Sequence, residues 1–229
     1  MEKLLARDVV EWDVYNWSRG IDLWKKFDAK GCQGKKILDI GGRSGGLSLY
    51  WALQGADKVI CSDVNDNAFE NAKKLHKKYH VEDQISYEII DATNIPFENE
   101  FDIICFKSVL GGVGYNNNYE NQKLMIKNIY DALKPGGKLF FVENLQGSFL
   151  HSFARKKFVK WGNRWRYVTI QEIKEMLEMF SEVKYTTIGF LGCFGRNAVL
   201  SDFLGHIDVC CEKLVGEKNR YILSCVAKK

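Results

Sequence analysis

The most constraining feature of the sequence is a glycine-rich turn between a strand pattern and a helix pattern. Residues 35–42 (KKILDIGG) have the composition of a buried strand, and residues 44–55 have that of a helix that ends at Gly55. The turn between them reads Asp-Ile-Gly-Gly-Arg-Ser-Gly-Gly over 39–46. In open α/β sheets, ligands bind where such a turn leads from the carboxyl end of a strand to the start of a helix. The sequence therefore predicts an α/β fold with a ligand site at this turn.

The rest of the chain continues the alternation of strands and helices. Strand patterns occur at 58–64, 85–90, 101–110, 138–142, 183–188 and 221–226, and helix patterns occur at 65–79, 119–133 and around 171–180. Residues 1–30 carry a helical stripe of Trp17, Ile21 and Trp24, which predicts an N-terminal helical cap. We expect a single domain over 1–229, because this length suits one core.

Composition excludes several classes of protein. Apolar residues make up 46% and charged residues 27% of the chain, which excludes a mostly disordered or fibrous protein. The N-terminus is charged from its second residue, so no signal peptide is expected. The longest apolar stretch, 186–211, is too interrupted for a membrane span, by Arg196, Asp202, His206 and Asp208. The seven cysteines form no C-x-x-C pair, which disfavours disulfides and a thiolate zinc site. We expect a cytoplasmic, metal-independent protein.

One segment carries the whole positive balance of the chain. The net charge is +4, and residues 151–167 (HSFARKKFVKWGNRWRY) contain six lysines or arginines and no acid. Apolar residues at helical spacing predict a basic amphipathic helix over 150–167, inside an insert or lid at 145–168, with the stripe Leu150, Ala154, Phe158, Trp161 and Trp165. Four roles stay open: a lid that packs through this stripe, a pocket for an anionic acceptor, contact with a membrane surface, and RNA binding. The modest net charge favours a small anionic acceptor over a long nucleic acid.

The glycine-rich turn does not carry either of two common phosphate-binding motifs. A dinucleotide fingerprint that starts at Gly41 would place Arg43 where the backbone must approach a pyrophosphate closely. The P-loop sequence G-x-x-x-x-G-K-[ST] does not occur. A nicotinamide or flavin dinucleotide is therefore disfavoured as the ligand.

Four motifs, in order over about 35–144, resemble those of the class I S-adenosylmethionine-dependent methyltransferases. The matching residues are the acid and two glycines of the first motif and the acids after strands two and three: Asp39, Gly41, Gly45, Asp63 and Asp91. The fourth resemblance is LKPGGKLFFVE at 133–143. This resemblance implies a three-layer Rossmann-like fold with a mainly parallel seven-stranded sheet whose last strand is antiparallel. It also implies S-adenosyl-L-methionine as the cofactor.

The resemblance further implies how the cofactor is held. Asp63 would accept hydrogen bonds from both ribose hydroxyls, and Asp91 or the backbone beside it would receive the adenine amino group. The glycines let the backbone approach the methionine part. The full set of expected cofactor contacts is Asp39, Gly41, Gly42, Arg43, Gly45, Asp63, Val64, Asp91, Ala92 and Lys107. Arg43 either points to solvent or pairs with the cofactor carboxylate.

Missing motifs narrow the acceptor. The family's [DN]-P-P-[YF], Pro-Cys and magnesium-binding acid patterns do not follow strand four, which disfavours adenine, glutamine amide, cytosine and catechol substrates. We therefore expect a methyltransferase that acts on a hydroxyl or amine of a small, anionic or glycan-type acceptor. The alternatives are an RNA or protein methyltransferase that uses 151–167, and a non-catalytic cofactor-binding module. Nucleic acid is the disfavoured partner, peripheral contact with a membrane stays open, and the oligomeric state is not predicted.

Methyl transfer can proceed by positioning alone, so a dedicated catalytic residue is not required. Glu143, Lys107 and His151 are the candidates, because they lie at or just after the ends of strands four and five. Glu143 is equally expected as an N-cap or salt-bridge partner, and an isolated histidine such as His151 is more often structural. The expected acceptor contacts are Tyr15, Arg155, Trp161 and Trp165.

Overall fold

A seven-stranded sheet forms the centre of the protein, in a computed structural model that describes residues 1–28, 31–159 and 164–229. The strands lie in the order β3-β2-β1-β4-β5-β7-β6. Their bounds are β1 Lys36–Ile40, β2 Lys58–Asp63, β3 Ile85–Ile89, β4 Phe101–Lys107, β5 Leu133–Asn144, β6 Glu182–Ile188 and β7 Ile222–Lys228. The pairs that β7 makes with β5 and β6 are antiparallel, and the other pairs are parallel. The expected α/β fold with an antiparallel last strand is confirmed.

Helices connect the strands, and some of them begin at capping side chains. Their bounds are α1 Lys3–Val10, α2 Val14–Asp22, α3 Trp24–Phe27, α4 Gly46–Leu53, α5 Phe69–Lys78, α6 Leu110–Val113, α7 Tyr119–Ala132, α8 Phe149–Phe158, α9 Ile170–Met176 and α10 Ala198–Cys211. Asn118 accepts a hydrogen bond from the Asn121 amide at the start of α7, and Thr169 forms a capping box with Glu172 at the start of α9. Both caps satisfy amides that have no partner within the helix.

The sheet is covered on both faces, because successive strand residues point to opposite sides. On one face, Ile37 belongs to a buried cluster with Trp17 of α2 and Leu49 of α4. On the other face, Leu38 belongs to a cluster with Ile129 of α7. The result is three layers, with the carboxyl ends of the parallel strands at one edge of the sheet.

The first 28 residues contain the helices α1, α2 and α3, and residues 29–30 of the predicted cap lie outside the described part. Trp17, Ile21 and Trp24 are buried. The Trp24 indole stacks on Trp51 of α4 with ring centroids 5.8 Å apart. The cap therefore contributes side chains to the same core as the sheet.

The ends of β4 and β5 differ from the prediction. β4 stops at Lys107, because Ser108 adopts a φ of +56°, in the left-handed region. β5 begins at Leu133 rather than at 138, and Leu133 pairs with Phe101 across the sheet. The early end of β4 places Ser108 and Val109 in a turn at the edge of the sheet where the site is expected.

The basic segment differs most from the prediction. The helix α8 covers only Phe149–Phe158, so the helix predicted over 150–167 was too long. Residues 160–163, which include Trp161, lie outside the described part. Leu150 and Phe158 of the predicted packing stripe are exposed, whereas His151 is buried. The predicted stripe is therefore wrong, because α8 packs on the protein through its polar side.

Candidate cofactor and acceptor site

The glycine-rich turn adopts a backbone that side chains rarely permit. Gly41 has a φ of +63° and Gly45 a φ of +82°. A Cβ atom on Gly41 would lie 2.7 Å from Val109 Cγ2, and one on Gly45 would lie 2.4 Å from His76 Nε2. The turn is thus held between the β4–α6 turn and α5, with its backbone at the edge of the sheet.

Asp39 ties the strand before this turn to the helix after it. Its side chain is buried, and Oδ2 accepts hydrogen bonds from the Ser48 amide at 2.9 Å and the Ser48 hydroxyl at 2.7 Å. Burial raises the pKa of the Asp39 carboxyl to about 7. Asp39 therefore fixes the distance between β1 and α4, and with it the conformation of the glycine-rich turn between them.

Asp63 lies beside the turn, as the strand order requires. β2 is the parallel neighbour of β1, and the Arg43 amide donates a hydrogen bond to Asp63 Oδ2 at 3.3 Å. Oδ1 accepts from the Asn65 amide at 3.2 Å. The Asp63 side chain is partly exposed, and the next residue, Val64, is exposed. A carboxylate and an apolar side chain thus flank the open side of the turn.

Asp91 and Ala92 follow β3 at the same edge. The Ile90 amide donates to the Asp63 carbonyl at 3.0 Å, which aligns the end of β3 with the end of β2. Asp91 Oδ1 accepts from the Thr93 amide and hydroxyl, both at 2.8 Å, and Ala92 is buried. The structure therefore brings the predicted cofactor residues of three strands to one edge.

A small hollow lies between the glycine-rich turn and the N-terminal cap. Its enclosed volume is about 20 Å³, which is close to the space one water molecule needs. A Cβ on Gly46 would lie 2.2 Å from the Val9 carbonyl oxygen, so the end of α1 rests directly on the turn. The lining residues are Val9, Glu11, Asp39, Gly41, Gly42, Arg43, Ser44, Gly46, Leu47 and Lys107.

Lys107 lines the hollow and holds the cap. Its Nζ donates to the Val10 carbonyl at 3.1 Å and lies 3.8 Å from the centroid of a Trp12 ring. Glu11 Oε2 lies 3.9 Å from the same ammonium. Burial lowers the pKa of the Lys107 ammonium to about 8. The contact of Trp12 with this lysine was not predicted, because the two residues are far apart in the chain.

Glu143 is a buried cap for the turn after β4. Its Oε2 accepts hydrogen bonds from the amides of Val109 at 2.8 Å and Leu110 at 2.9 Å, and Oε1 accepts from the Asn144 amide at 2.8 Å. Burial raises the pKa of the Glu143 carboxyl to about 7. Glu143 therefore has the contacts of the N-cap alternative, because it accepts hydrogen bonds from amides at the start of α6. Because Val109 packs against Gly41, Glu143 also positions the residue that borders the glycine-rich turn.

His151 does not have the environment of a catalytic base. The Ser148 amide donates to Nδ1 at 3.0 Å, and Nε2 then carries the proton and donates to the Phe190 carbonyl at 2.8 Å. The residue is buried, and burial lowers the pKa of its imidazole. We therefore correct the predicted catalytic role of His151 to a structural one.

Arg155, one of the predicted acceptor contacts, lies next to the end of β5. Arg155 Nη1 donates to the carbonyls of Leu145 at 2.7 Å and Gln146 at 3.0 Å, and its guanidinium lies 3.8 Å from the Tyr167 ring centroid. No carboxylate of the described residues forms an ion pair with Arg155. Arg155 is thus a cation next to the carboxyl end of β5.

The other predicted acceptor residues are dispersed. Tyr15 packs against α10, with its ring centroid 4.0 Å from that of His206. Trp165 packs on α6, where a Cβ on Gly111 would lie 1.6 Å from its indole nitrogen. Trp161 lies outside the described residues. The structure brings neither Tyr15 nor Trp165 to the hollow at the turn.

Sequence reasoning missed a polar pair at the end of β4. The Asn144 side-chain amide donates to Ser108 Oγ at 2.7 Å. The sequence predicted that β4 continues to 110, so it did not indicate that Ser108 leaves the strand and contacts Asn144. Within the described residues, no group of three or more His, Cys, Asp or Glu could hold a metal ion.

Comparison with known proteins gives a consistent picture. Residues 38–141 match the family described as Methyltransferase domain. The ubiquinone/menaquinone biosynthesis C-methyltransferase UbiE of Enterobacter sp. (strain 638) is 30% identical over 142 residues, which cover 58% of this chain and 54% of that protein. UbiE of Citrobacter koseri is 32% identical with the same coverage. The chain thus spans about half the length of the curated relatives it matches.

Solved structures share the fold at low sequence identity. The phosphoethanolamine N-methyltransferase 2 of Haemonchus contortus, solved with phosphomonomethylethanolamine and S-adenosylhomocysteine, has a TM-score of 0.66 at 20% identity and covers 93% of this chain and 52% of that chain. The [4+2]-cyclase SpnF has a TM-score of 0.62 at 17% identity and covers 92% of this chain and 80% of that chain. At this level of identity, these structural similarities show a shared fold.

Proposed function

We propose that the chain is a class I S-adenosylmethionine-dependent methyltransferase, since residues 38–141 match the family described as Methyltransferase domain. We further propose that it transfers a methyl group to a hydroxyl or amine of a small anionic acceptor. One observation carries the cofactor part. The carboxylate of Asp63 lies one hydrogen bond from the backbone of the glycine-rich turn, at Arg43. The two places that must hold the ends of one nucleoside ligand are therefore adjacent.

The residues at this edge suit an adenosine. Asp63 is partly exposed and has acceptor capacity for a ribose diol, since an ionised carboxylate offers about four lone-pair sites. Val64 and the backbone at Asp91 and Ala92 would flank the base. When bound, the cofactor supplies the electrophilic methyl group. The amino-acid end meets the small hollow at Gly41, so the end of α1 would have to move outward to admit it.

Positioning, rather than a protein base, would drive the transfer. The oxygens of Glu143 are bound to backbone amides, and both nitrogens of His151 are engaged. Holding the acceptor in line and excluding water can contribute about 7–11 kcal/mol in favourable cases. The Ser108–Asn144 pair and the ring of Trp12 would border the acceptor beside Lys107.

Arg155 supports an anionic acceptor. It is a partly buried guanidinium next to the end of β5, it has no carboxylate partner among the described residues, and it is braced by Tyr167 and two carbonyls. Such a cation suits a phosphate or carboxylate, which it can bind through two parallel hydrogen bonds. A carbon acceptor is the second candidate, because the curated relatives are named C-methyltransferases.

Calorimetry with S-adenosylhomocysteine tests the cofactor site. We expect the unmodified chain to bind, and Asp63→Ala to bind about 10- to 100-fold more weakly, because a hydrogen bond to a charged group contributes about 1.5–3 kcal/mol. The matched control is Asp83→Ala, an exposed acid at the opposite end of β3. Absence of binding by the unmodified chain would instead support a non-catalytic module that retains the fold with a blocked cofactor pocket.

Isotope transfer tests the acceptor. The chain would be incubated with methyl-labelled S-adenosylmethionine and paired acceptors, each an alcohol or amine with and without a phosphate group, beside an aromatic diol. We expect label on oxygen or nitrogen of the phosphorylated member, and loss of that preference in Arg155→Gln. Label on a ring carbon would reject the hydroxyl or amine assignment and favour the second candidate.

A further inference from the structure

The helix α8 has its apolar side chains on the solvent side. Phe149 is 81% exposed and Phe153 is 52% exposed, and Leu150 and Phe158 are also exposed. The side chain that α8 buries is His151, and Arg155 also turns inward to the carbonyls after β5. A helix on the surface of a globular protein normally has the opposite arrangement.

The helix α10 is reversed in the same way. It buries Ser201, Gly205 and Asp208 and exposes Val199 and Phe203, of which Val199 is 80% exposed. Asp208 accepts hydrogen bonds from the Leu191 and Gly192 amides and from Asn16, so the buried polar side is fully used. The segment belongs to the apolar stretch at 186–211, but no described helix is long and apolar enough to cross a membrane.

Contacts place the two helices, and the tip of α1, on one side of the protein. The His151 ring of α8 stacks on Phe194, with centroids 5.2 Å apart, and Phe194 belongs to the turn Gly192–Phe194 that packs under α10. The Lys3 ammonium of α1 lies 3.4 Å from Asp202 of α10. Leu4, next to Lys3, is 78% exposed. We call the exposed sides of these three elements the apolar face, formed by Leu4, Phe149, Leu150, Phe153, Val199 and Phe203.

The charges around the apolar face are mainly positive. Lys156 and Lys157 lie on α8 among its exposed phenylalanines, and the Lys157 ammonium lies 5.8 Å from the Phe153 ring centroid. Arg7 of α1 and Arg196 before α10 are exposed as well. The acids on or beside α1 and α10 include Glu2, Asp8, Asp202 and Glu212. Asp202 is paired with Lys3, Asp8 with Lys78 and Glu212 with Arg19. A two-fold contact between copies would place cations against cations, which disfavours a second copy as the occupant.

We propose that the apolar face binds the surface of an anionic lipid bilayer, with α8 and α10 lying at the boundary between headgroups and acyl chains. Phenylalanine and leucine side chains enter that boundary, while lysine and arginine remain with the anionic headgroups. This association does not depend on methyl transfer. It sets α8, and with it Arg155, beside the membrane.

Vesicle flotation tests the proposal on the full chain. The vesicles are phosphatidylcholine alone, and phosphatidylcholine with about 30 mol% phosphatidylglycerol. We expect binding to the anionic vesicles, weakened by added salt, and at least about tenfold weaker binding by the double variant Phe153→Ser/Phe203→Ser. Lys156→Glu/Lys157→Glu should also weaken it. The matched controls are Leu124→Ser, an exposed apolar residue on α7, and Lys73→Glu/Lys77→Glu on α5.

Three results would overturn the proposal. The first is absence of binding to either kind of vesicle. The second is equal binding by the Phe153/Phe203 variant and the unmodified chain, with the melting temperature of the variant unchanged. The third is a dimer in light scattering that the same variant abolishes, since the face would then join two copies. S-adenosylhomocysteine binding, measured in parallel, separates these results from failure of the cofactor site.

Discussion

At the edge of the sheet, single side chains hold the backbone of the neighbouring turns in place. Gly41 and Val109 are in contact, and Glu143 holds Val109 and Leu110 by their amides. The buried carboxylate therefore supports the glycine-rich turn indirectly, through Val109. The sequence identified Glu143 as important but left its role open, because a carboxylate at a strand end has the same pattern as a base, a cap or an ion-pair partner.

Gly41→Ala should destabilise the protein and weaken cofactor binding. The substitution requires a positive φ from alanine and places a Cβ 2.7 Å from Val109 Cγ2. We expect the free energy of unfolding to fall by about 1–3 kcal/mol. Urea denaturation measures it, and calorimetry measures S-adenosylhomocysteine affinity. Gly31→Ala is the control, since a Cβ there meets nothing within 4 Å. Equal losses in the two variants would contradict the argument.

Glu143 should make the stability of the protein depend on pH. Its pKa in the folded state is about 7, above the ordinary value of 4.5, so the folded state holds the proton more tightly. Its contribution to stability is complete below pH 4.5 and is lost as the pH rises to about 7, with a slope of up to about 1.4 kcal/mol per pH unit. Glu143→Gln should flatten this slope in urea titrations, whereas the exposed Glu98→Gln should not. A slope that is the same in Glu143→Gln and the unmodified chain would contradict the assignment.

At the scale of elements, the sequence predicted which strand ends lie side by side. Because β1 and β2 are parallel neighbours, Asp63 had to lie near Gly41, and it does. The orientation of α8 could not be obtained in this way. Its apolar residues recur at helical spacing, and spacing shows that a helix has an apolar face without showing whether that face meets the core or the outside.

Lys107 forms one of several contacts between the cap and the sheet, and we call this contact the latch. Lys107→Met removes the hydrogen bond to the Val10 carbonyl and the cation over the Trp12 ring. We expect amides of residues 9–13 to exchange with solvent deuterium about tenfold faster, which corresponds to the loss of about 1.4 kcal/mol of local stability. Mass spectrometry of peptides measures this. Lys123→Met on α7 is the control, and unchanged exchange at 9–13 would contradict the latch.

At the scale of the whole molecule, one core joins the cap to the sheet. Trp17 and Trp24 of the cap belong to the same buried cluster as Ile37 and Val59 of β1 and β2. The α/β class and the parallel majority followed from the alternation of patterns and from the family resemblance. The packing of the cap against α4 did not, because it depends on contacts between elements distant in the chain.

The chain should unfold in one transition, as the predicted single domain requires. Tryptophan fluorescence reports mainly on the cap and α4, through Trp12, Trp17, Trp24 and Trp51, and far-ultraviolet circular dichroism reports on all helices and strands. We expect the two signals to change at the same urea concentration, because the two buried clusters share the strands of one sheet. Separate midpoints would show that the cap unfolds independently.

The position of β7 has a consequence for biosynthesis. β7 lies between β5 and β6, so β6 has no hydrogen-bonding neighbour until residues 222–228 have been translated. At about 5–20 residues per second, the ribosome needs a few seconds to make the intervening segment. During that interval the backbone of β6 is unpaired, and the apolar side chains Val199 and Phe203 of α10 are exposed at the same time. A nascent chain at this stage is a natural client for a holding chaperone.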